Sequence, residues 1–209
     1  MKLAFIGIGN VGFAIANNLK KKGHQIIVAN NNPDSGSVKK ALAASPVFSV
    51  KKIQDAVDEA DVVFLATPYQ ANQAALEGVR FNGKTLIDCT NPVGPGVSHG
   101  LKSEKSGSEV VQELAPDARV VKAFTIYGYE NFIDSSFPNY NVKPVMLIAG
   151  NDENAKSQAS QLIEELGFFA KDTGSLSQSL HLEHMTLLWV KMARVNGHHP
   201  NFVWAYLEK

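Results

Sequence analysis

Cysteine is nearly absent. Cys89 is alone among 209 residues, so no disulfide can form within the chain, and a reducing compartment is the expected setting. Neither sign of charge is in excess, with 20 Lys and Arg against 20 Asp and Glu. That balance lacks the basic field that a nucleic-acid or anionic-membrane surface requires. No apolar run approaches the roughly 20 residues that cross a bilayer. Met1-Lys2 leads straight into an apolar segment, with no room for a signal peptide. Internal repeats, low-complexity tracts and linkers are missing too. A cytoplasmic protein without nucleic-acid or membrane partners is expected. With 44% hydrophobic residues it has enough apolar material for a core.

What is present is organised around Gly7-Ile8-Gly9-Asn10-Val11-Gly12. The apolar run Leu3-Ala4-Phe5-Ile6 before it reads as a buried strand. Val11, Ile15 and Leu19 recur at helical spacing after it, over residues 13–22. Strand, G-x-G-x-x-G and helix together make a dinucleotide-binding fingerprint. Gly7 permits the tight turn, Gly9 lets the backbone approach a diphosphate, and Gly12 lets helix and strand pack closely. The free N–H groups of the helix start then face the phosphates.

A second strand over residues 25–29 completes a βαβ unit of about thirty residues. An NAD site places Asp or Glu at its tip to hold the ribose 2′-hydroxyl. Here Asn30, Asn31 and Asn32 stand instead, followed by Ser35, Gly36 and Ser37, with Lys39 and Lys40 at the start of the next helix. No carboxylate repels a 2′-phosphate and several groups can donate to one, so NADP is favoured. No arginine occurs in this loop, which leaves a solvated asparagine turn as the other reading.

A third strand is expected over 45–50, a helix over 53–60, and an apolar fourth strand over 61–66, ending at Thr67-Pro68-Tyr69. Ligands of open parallel sheets bind beyond the carboxyl ends of strands. Thr67 and Pro68 are therefore placed to line the dinucleotide, as is Asn91 after a fifth strand over 84–88. Residues 93–107, rich in Gly, Pro and Ser, read either as a mobile flap or as a surface excursion. A helix over 108–115, a strand over 119–124, a strand over 144–149, a helix over 154–166, a strand over 168–171 and a helix over 180–195 follow. The fold class is α/β: a Rossmann-type doubly wound, mostly parallel sheet with a short helical C-terminal part. The dinucleotide-binding domain spans 1–150, and 151–209 packs on it as one compact unit.

Gly7 to Gly12, Ala66-Thr67-Pro68, Asp88-Cys89-Thr90-Asn91-Pro92 and Val121-Lys122-Ala123-Phe124 each follow a strand. In that order they resemble the deazaflavin-dependent (coenzyme F420) NADP oxidoreductases, relatives of the cytosolic domain of six-transmembrane ferric reductases. The resemblance covers nearly the whole chain. It implies that Gly7, Ile8, Gly9, Asn10, Val11 and Gly12 cradle the diphosphate. Asn30 and Asn31 would stand where the family often has Ser-Arg before the 2′-phosphate, and the missing arginine would either weaken NADP affinity or shift its work to Asn32 and Ser35. Thr67, Pro68 and Asn91 would line the dinucleotide, and Lys122 and Ala123 would lie near the nicotinamide. Thr125, Tyr127 and Tyr129 depart from the family at the place where a second substrate would stack.

The chemistry implied is hydride transfer between NADP(H) and a deazaflavin, flavin or similar acceptor, with no dedicated acid–base residue. The alternatives are a non-catalytic NADP-binding sensor, and a small-substrate dehydrogenase or imine reductase. The latter generally carries a larger helical domain than the residues after Gly150 provide. His181, His184, His198 and His199 lack metal-ligand spacing, so no metal is expected. Cys89 reads as a redox thiol or, better, a small buried residue. Lys122 could bond a carbonyl or phosphate, or pair with a carboxylate. Ser98-His99 lacks the company a triad needs. Phe202, Trp204 and Tyr206 suit a core or a homodimer contact better than a cofactor platform.

Overall fold

The computed structural model describes all of residues 1–209. The first strand, β1 (Lys2–Ile6), alternates Leu3 and Phe5 toward one layer of helices with Ala4 and Ile6 toward the other. All four are buried, the signature of a strand covered on both faces. The helix α1 (Asn10–Lys21) follows, then β2 (Gln25–Ala29), α2 (Gly36–Ala44), β3 (Ser49–Lys51), α3 (Ile53–Glu59) and β4 (Val62–Leu65). Next come α4 (Asn72–Leu76), β5 (Thr85–Asp88), the small antiparallel pair β6 (Val93–Gly94) and β7 (Ser98–His99), and α5 (Gly107–Leu114). The chain closes with β8 (Arg119–Lys122), α6 (Glu130–Ile133), β9 (Val145–Gly150), α7 (Glu153–Glu165), β10 (Phe169–Asp172) and α8 (Ser179–Val190).

Eight strands form one sheet in the order β10-β9-β8-β5-β4-β1-β2-β3. Every pairing is parallel except β8 with β9. The chain winds outward from β1 to β3 and returns to β4 on the other side of β1. The fold is therefore Rossmann-like, with its topological switch point between β1 and β4. Helices α1, α2, α7 and α8 contribute to the apolar layer on one face, and α3, α4 and α5 to the other.

Several boundaries differ from expectation for local reasons. The third strand begins at Ser49, four residues late, because the Ser45 N–H still donates to Ala41 of α2 and the Phe48 N–H turns back to Ser45. Helices α4 and α6, of five and four residues, are too short to show a period. The last helix is α-helical only to Val190, and Lys191–Val195 continues as one wider turn. The aromatic tail packs back on the molecule. Trp189 stacks on Phe202 with centroids 5.5 Å apart, and the Val145 N–H donates to the Trp204 carbonyl. Phe202 and Trp204 are thus half-buried parts of the core layer, whereas Tyr206 is exposed.

Candidate functional site

The glycine turn lies at the switch point, and its three glycines are needed for three different reasons. Gly7 has φ +94°, and a Cβ there would come within 2.6 Å of the Ala66 carbonyl carbon and the Thr67 nitrogen. A Cβ on Gly12 would meet the Gly7 carbonyl oxygen at 2.4 Å. Around Gly9 nothing lies within 4 Å. The first two glycines therefore hold strand, helix and neighbouring strand together, while the third leaves open space above the start of α1. Gly9 makes no side-chain cap, and the first intrahelical bond runs from the Phe13 N–H to the Gly9 carbonyl. The N–H groups of Asn10, Val11 and Gly12 have no partner within the helix, so they and the helix dipole form a ready anion site beside that space. Ile8 is buried beneath the turn, while Gly9 and Asn10 are exposed.

The asparagine loop presents a consistent face. The Asn30 Oδ1 accepts the Asn32 N–H (2.8 Å), the Asn31 Oδ1 accepts the Ile53 N–H at the start of α3 (3.0 Å), and the Asn32 Oδ1 accepts the Asp34 N–H (3.1 Å). Each carboxamide oxygen is fixed by a backbone donor, which sets the flip of each amide. All three amide nitrogens are therefore left as donors. The Asn30 nitrogen makes a long 3.3 Å contact to the Ser35 hydroxyl.

Thr67 belongs to a polar chain linking the ends of β4 and β5, and Asn91 lies next to its member Thr90 in sequence. The Thr67 hydroxyl donates to Asn72 Oδ1 (2.6 Å), and Asn72 Nδ2 donates to the Thr90 hydroxyl (3.0 Å). Thr90 donates through its N–H (2.9 Å) and hydroxyl (2.7 Å) to Asp88 Oδ1. Pro68 is exposed at the rim. The Asn91 Oδ1 is buried without a donor, a costly state that a ligand's N–H would relieve.

Lys122 takes the carboxylate pairing that its residue type left open. It and Ala123 are fully buried, and the Lys122 ammonium is engaged by Glu183 Oε1 (3.0 Å), Asp88 Oδ2 (3.3 Å) and the Thr90 carbonyl (2.5 Å). No donor is left for a nicotinamide, so Lys122 supports the wall of the site from behind. Burial pushes its pKa down, but Asp88 and Glu183 outweigh burial and the net shift is upward. Residues 93–107 settle on one of their two readings. They form a surface excursion with residues 95, 96, 98, 100 and 102–104 exposed, anchored to the fold where Glu183 accepts the Gly107 N–H (2.9 Å) and the His99 ring contacts Glu183 at 2.8 Å. Cys89 is a buried thiol, its pKa pushed well up by burial and by Asp88, which removes the redox reading.

Sequence reasoning missed Asp88, Glu183, His99 and Asn72 as site-forming groups. Two signals were available. Asp88 follows the apolar pair Leu86-Ile87 at the end of a fully buried strand. Glu183 lies among Ser179, Leu182, Thr186 and Trp189 on the inward face of α8. Phe124 adds strain at the end of β8, with φ +56° in a bulky buried residue.

Residues 2–92 match the family described as NADP oxidoreductase, coenzyme F420-dependent. The chain is 29% identical to the F420-dependent NADP reductase of Methanothermobacter marburgensis, with 92% of each protein covered. It is 26% identical to Metalloreductase STEAP3 of Rattus norvegicus over 89% of this chain, and spans only 36% of that longer relative. A crystal structure from Arthrobacter sp. FB24, put forward as an F420-dependent NADP-reductase, superposes with a TM-score of 0.85 and full coverage of both chains. Its 24% identity shows a shared fold. Over residues 2–92, from β1 to the turn after β5, the chain is thus similar to the NADP oxidoreductase, coenzyme F420-dependent family.

Proposed function

We propose that this protein is an NADP(H)-dependent oxidoreductase that passes a hydride between the nicotinamide and a deazaflavin of the coenzyme F420 class, or a flavin-like relative. The observation that carries the reading is the open space above Gly9, bordered by the partnerless N–H groups of Asn10, Val11 and Gly12. Gly7, Ile8 and the Val11 side chain give that turn its shape. The donors of Asn30, Asn31, Asn32 and Ser35 would hold the 2′-phosphate without an arginine. Thr67 and Pro68 would border the dinucleotide, and the donorless Asn91 Oδ1 would accept from the nicotinamide carboxamide.

Bound in this way, the dinucleotide supplies the reducing equivalent, and the protein supplies binding and alignment. Alignment of two rings can by itself be worth about 7–11 kcal/mol of the barrier. The polar chain Thr67–Asn72–Thr90–Asp88 fixes the two strand ends against which the rings would be aligned. The full-length similarity to an F420-dependent NADP reductase supports a deazaflavin as the acceptor.

Titration calorimetry with NADP⁺, NADPH and NAD⁺, followed by stopped-flow mixing of the NADPH complex with coenzyme F420 and with free flavin, tests the reading. Tight binding of the phosphorylated cofactor and rapid bleaching of F420 absorbance are expected. Tight NADPH binding without reduction of either acceptor would leave a cofactor-binding module and refute the enzyme. A cytoplasmic setting fits the single buried thiol, and the exposed Leu188, Tyr206 and Leu207 are the surface offered for a homodimer. The division at residue 150 would be a functional one only, since β9 and β10 extend the same sheet.

A further inference from the structure

Behind the ends of β5 and β8 lies a sealed group of ionisable side chains that hydride transfer does not itself require. Asp88, Lys122 and Glu183 are 0%, 0% and 1% exposed, so no solvent screens them. Their charges do not cancel. The fourth member, His99, has its protonation fixed by geometry. Its Nδ1 accepts the N–H groups of Ser103 (3.1 Å) and Leu101 (3.3 Å), so that nitrogen carries no proton. Nε2 must then bear the hydrogen, which it donates to Glu183 Oε2. His99 is therefore neutral, and two carboxylates face one ammonium.

The other buried groups around the cluster are neutral or partial charges; a further titratable group against it, His184, stacks on the His99 ring at 5.4 Å but is exposed to solvent. Ser108 donates to Asp88 Oδ2 (2.5 Å), and the Gly107 N–H at the start of α5 donates to both Glu183 oxygens (2.9 and 3.0 Å). The α5 dipole offsets roughly half a unit of negative charge. From the turn before α4, Tyr69 packs against Gly107, where a Cβ would come within 2.9 Å of its ring. Burial pushes the Tyr69 phenol up, and Glu183 and Asp88 push it further, so it remains uncharged. A buried negative excess is left over, and it is costly unless something cationic answers it.

We infer that this excess negative charge, held by Glu183 and Asp88 against Lys122, selects the oxidised nicotinamide over the reduced one and so makes bound NADPH a stronger hydride donor. The inference rests on the NADP(H) reading above. The nicotinamide ring is cationic in NADP⁺ and neutral in NADPH, while the phosphates are the same in both. A fixed negative charge behind the ring therefore acts on the difference between the two forms. Hydrogen bonds to Thr90 and one peptide bond join the cluster to the site. Thr90, whose hydroxyl donates to Asp88 and whose carbonyl accepts from Lys122, immediately precedes Asn91 with its donorless Oδ1. Glu183 and Asp88 are thus tuning residues that act through space, not groups that touch the reacting atoms.

The test is the ratio of the NADP⁺ to the NADPH dissociation constant, measured by calorimetry or fluorescence on one preparation of each protein. A partly unfolded sample leaves that ratio unchanged, so poor folding of a variant does not spoil it. Glu183→Gln is expected to raise the ratio about tenfold, the order given by a unit charge within about 10 Å at an effective dielectric near 20. A tenfold rise is equivalent to raising the bound couple by about 30 mV. Asp88→Asn should move the ratio the same way. Lys122→Gln should move it the opposite way, which loss of structure alone does not predict. Glu165→Gln, far from the cluster, should leave it within twofold. An unchanged ratio in both carboxylate variants, or the same direction of shift in Lys122→Gln, overturns the inference. Failure of the wild-type protein to bind either nucleotide would instead overturn the dinucleotide reading beneath it.

Discussion

The two ends of the candidate site are built by opposite means. At the diphosphate end the working atoms are main-chain N–H groups, and the essential side chains are those that are missing. A Cβ on Gly7 or Gly12 would collide with backbone, and one on Gly9 would project into open space. At the proposed nicotinamide end the strand tips are held by side chains buried to a degree seen elsewhere in apolar cores, with Lys122, Asp88 and Glu183 sealed from water. The first end depends on close approach and little on charge. The second depends on charges that tolerate no unpaired partner. Substitutions at the two ends should therefore fail in different ways.

The largest effect is expected behind β5 and β8. Lys122→Met removes the only ammonium from a pocket containing Asp88 and Glu183, leaving buried carboxylates without compensation. Breaking a buried pair from one side costs about 3–5 kcal/mol, which denaturant unfolding would register as a lower midpoint at nearly unchanged slope. A loss below about 1 kcal/mol would mean that the cluster relaxes by taking up a proton, and the contrast between the two ends would fail.

The glycines sharpen the comparison because two of them separate stability from binding. Gly7→Ala forces a side chain to φ +94° and into the Ala66–Thr67 backbone. Strain and overpacking should together cost about 3 kcal/mol. Gly9 has φ −72°, which alanine adopts freely, and nothing stands near its Cβ. Gly9→Ala should change stability by only about 0.5 kcal/mol while weakening NADP(H) binding about tenfold or more, because the methyl group occupies the space beside the helix N–H groups. Thermal melts with and without cofactor distinguish the two. Equal melting losses in both variants would refute the division of labour.

These two ends also differ in how plainly the chain declares them. The glycine turn is legible because its determinants are contiguous and their physical requirement is local: a tight turn, a close helix and a strand before them. The strands were legible for the same reason, since Val62 to Leu65 is apolar throughout and can only be covered on both faces. The charged cluster was not, because its members stand 34 to 95 positions apart and only the winding of the sheet joins Asp88, Lys122 and Glu183. In the sequence Lys122 could equally bond a ligand or pair with a carboxylate, because nothing local names its partner. It is enclosed here because Glu183 arrives from the last helix. The place of His99 in the cluster was hidden for a related reason: the residue that orients it lies in α8, and Ser98 has no part in the cluster.

Specificity for the 2′-phosphate gives an intermediate effect. Asn31→Asp keeps the acceptor that holds the Ile53 N–H, so α3 should stay in place. It replaces an outward amide donor by a carboxylate oxygen, which repels a phosphate and suits a ribose hydroxyl. The preference for NADP⁺ over NAD⁺ should fall about tenfold, at close to 1.4 kcal/mol, with NAD⁺ affinity equal or better. An unchanged preference would remove the asparagine loop from the 2′-phosphate and leave the cofactor choice to other groups.

The smallest effect concerns a charged contact outside the site and shows what solvent does to the comparison. His24 and Glu165 meet at 2.5 Å between the turn after α1 and the end of α7, but the Glu165 side chain is 28% exposed. Partial burial pushes the Glu165 carboxyl up. The bond to His24 and a further one from Gln161 outweigh that, so its pKa lies below the usual value of about 4.5. A carboxylate with a lowered folded pKa adds stability above its unfolded pKa and loses it as pH falls through the folded one. The stability gap between wild type and Glu165→Gln should therefore hold above about pH 5 and close below about pH 4, and solvent should keep it under about 1 kcal/mol throughout. If the gap instead matched the loss in Lys122→Met, burial would not be what makes the β5–β8 cluster costly to disturb, and the contrast between sealed and solvated charge would have to be abandoned.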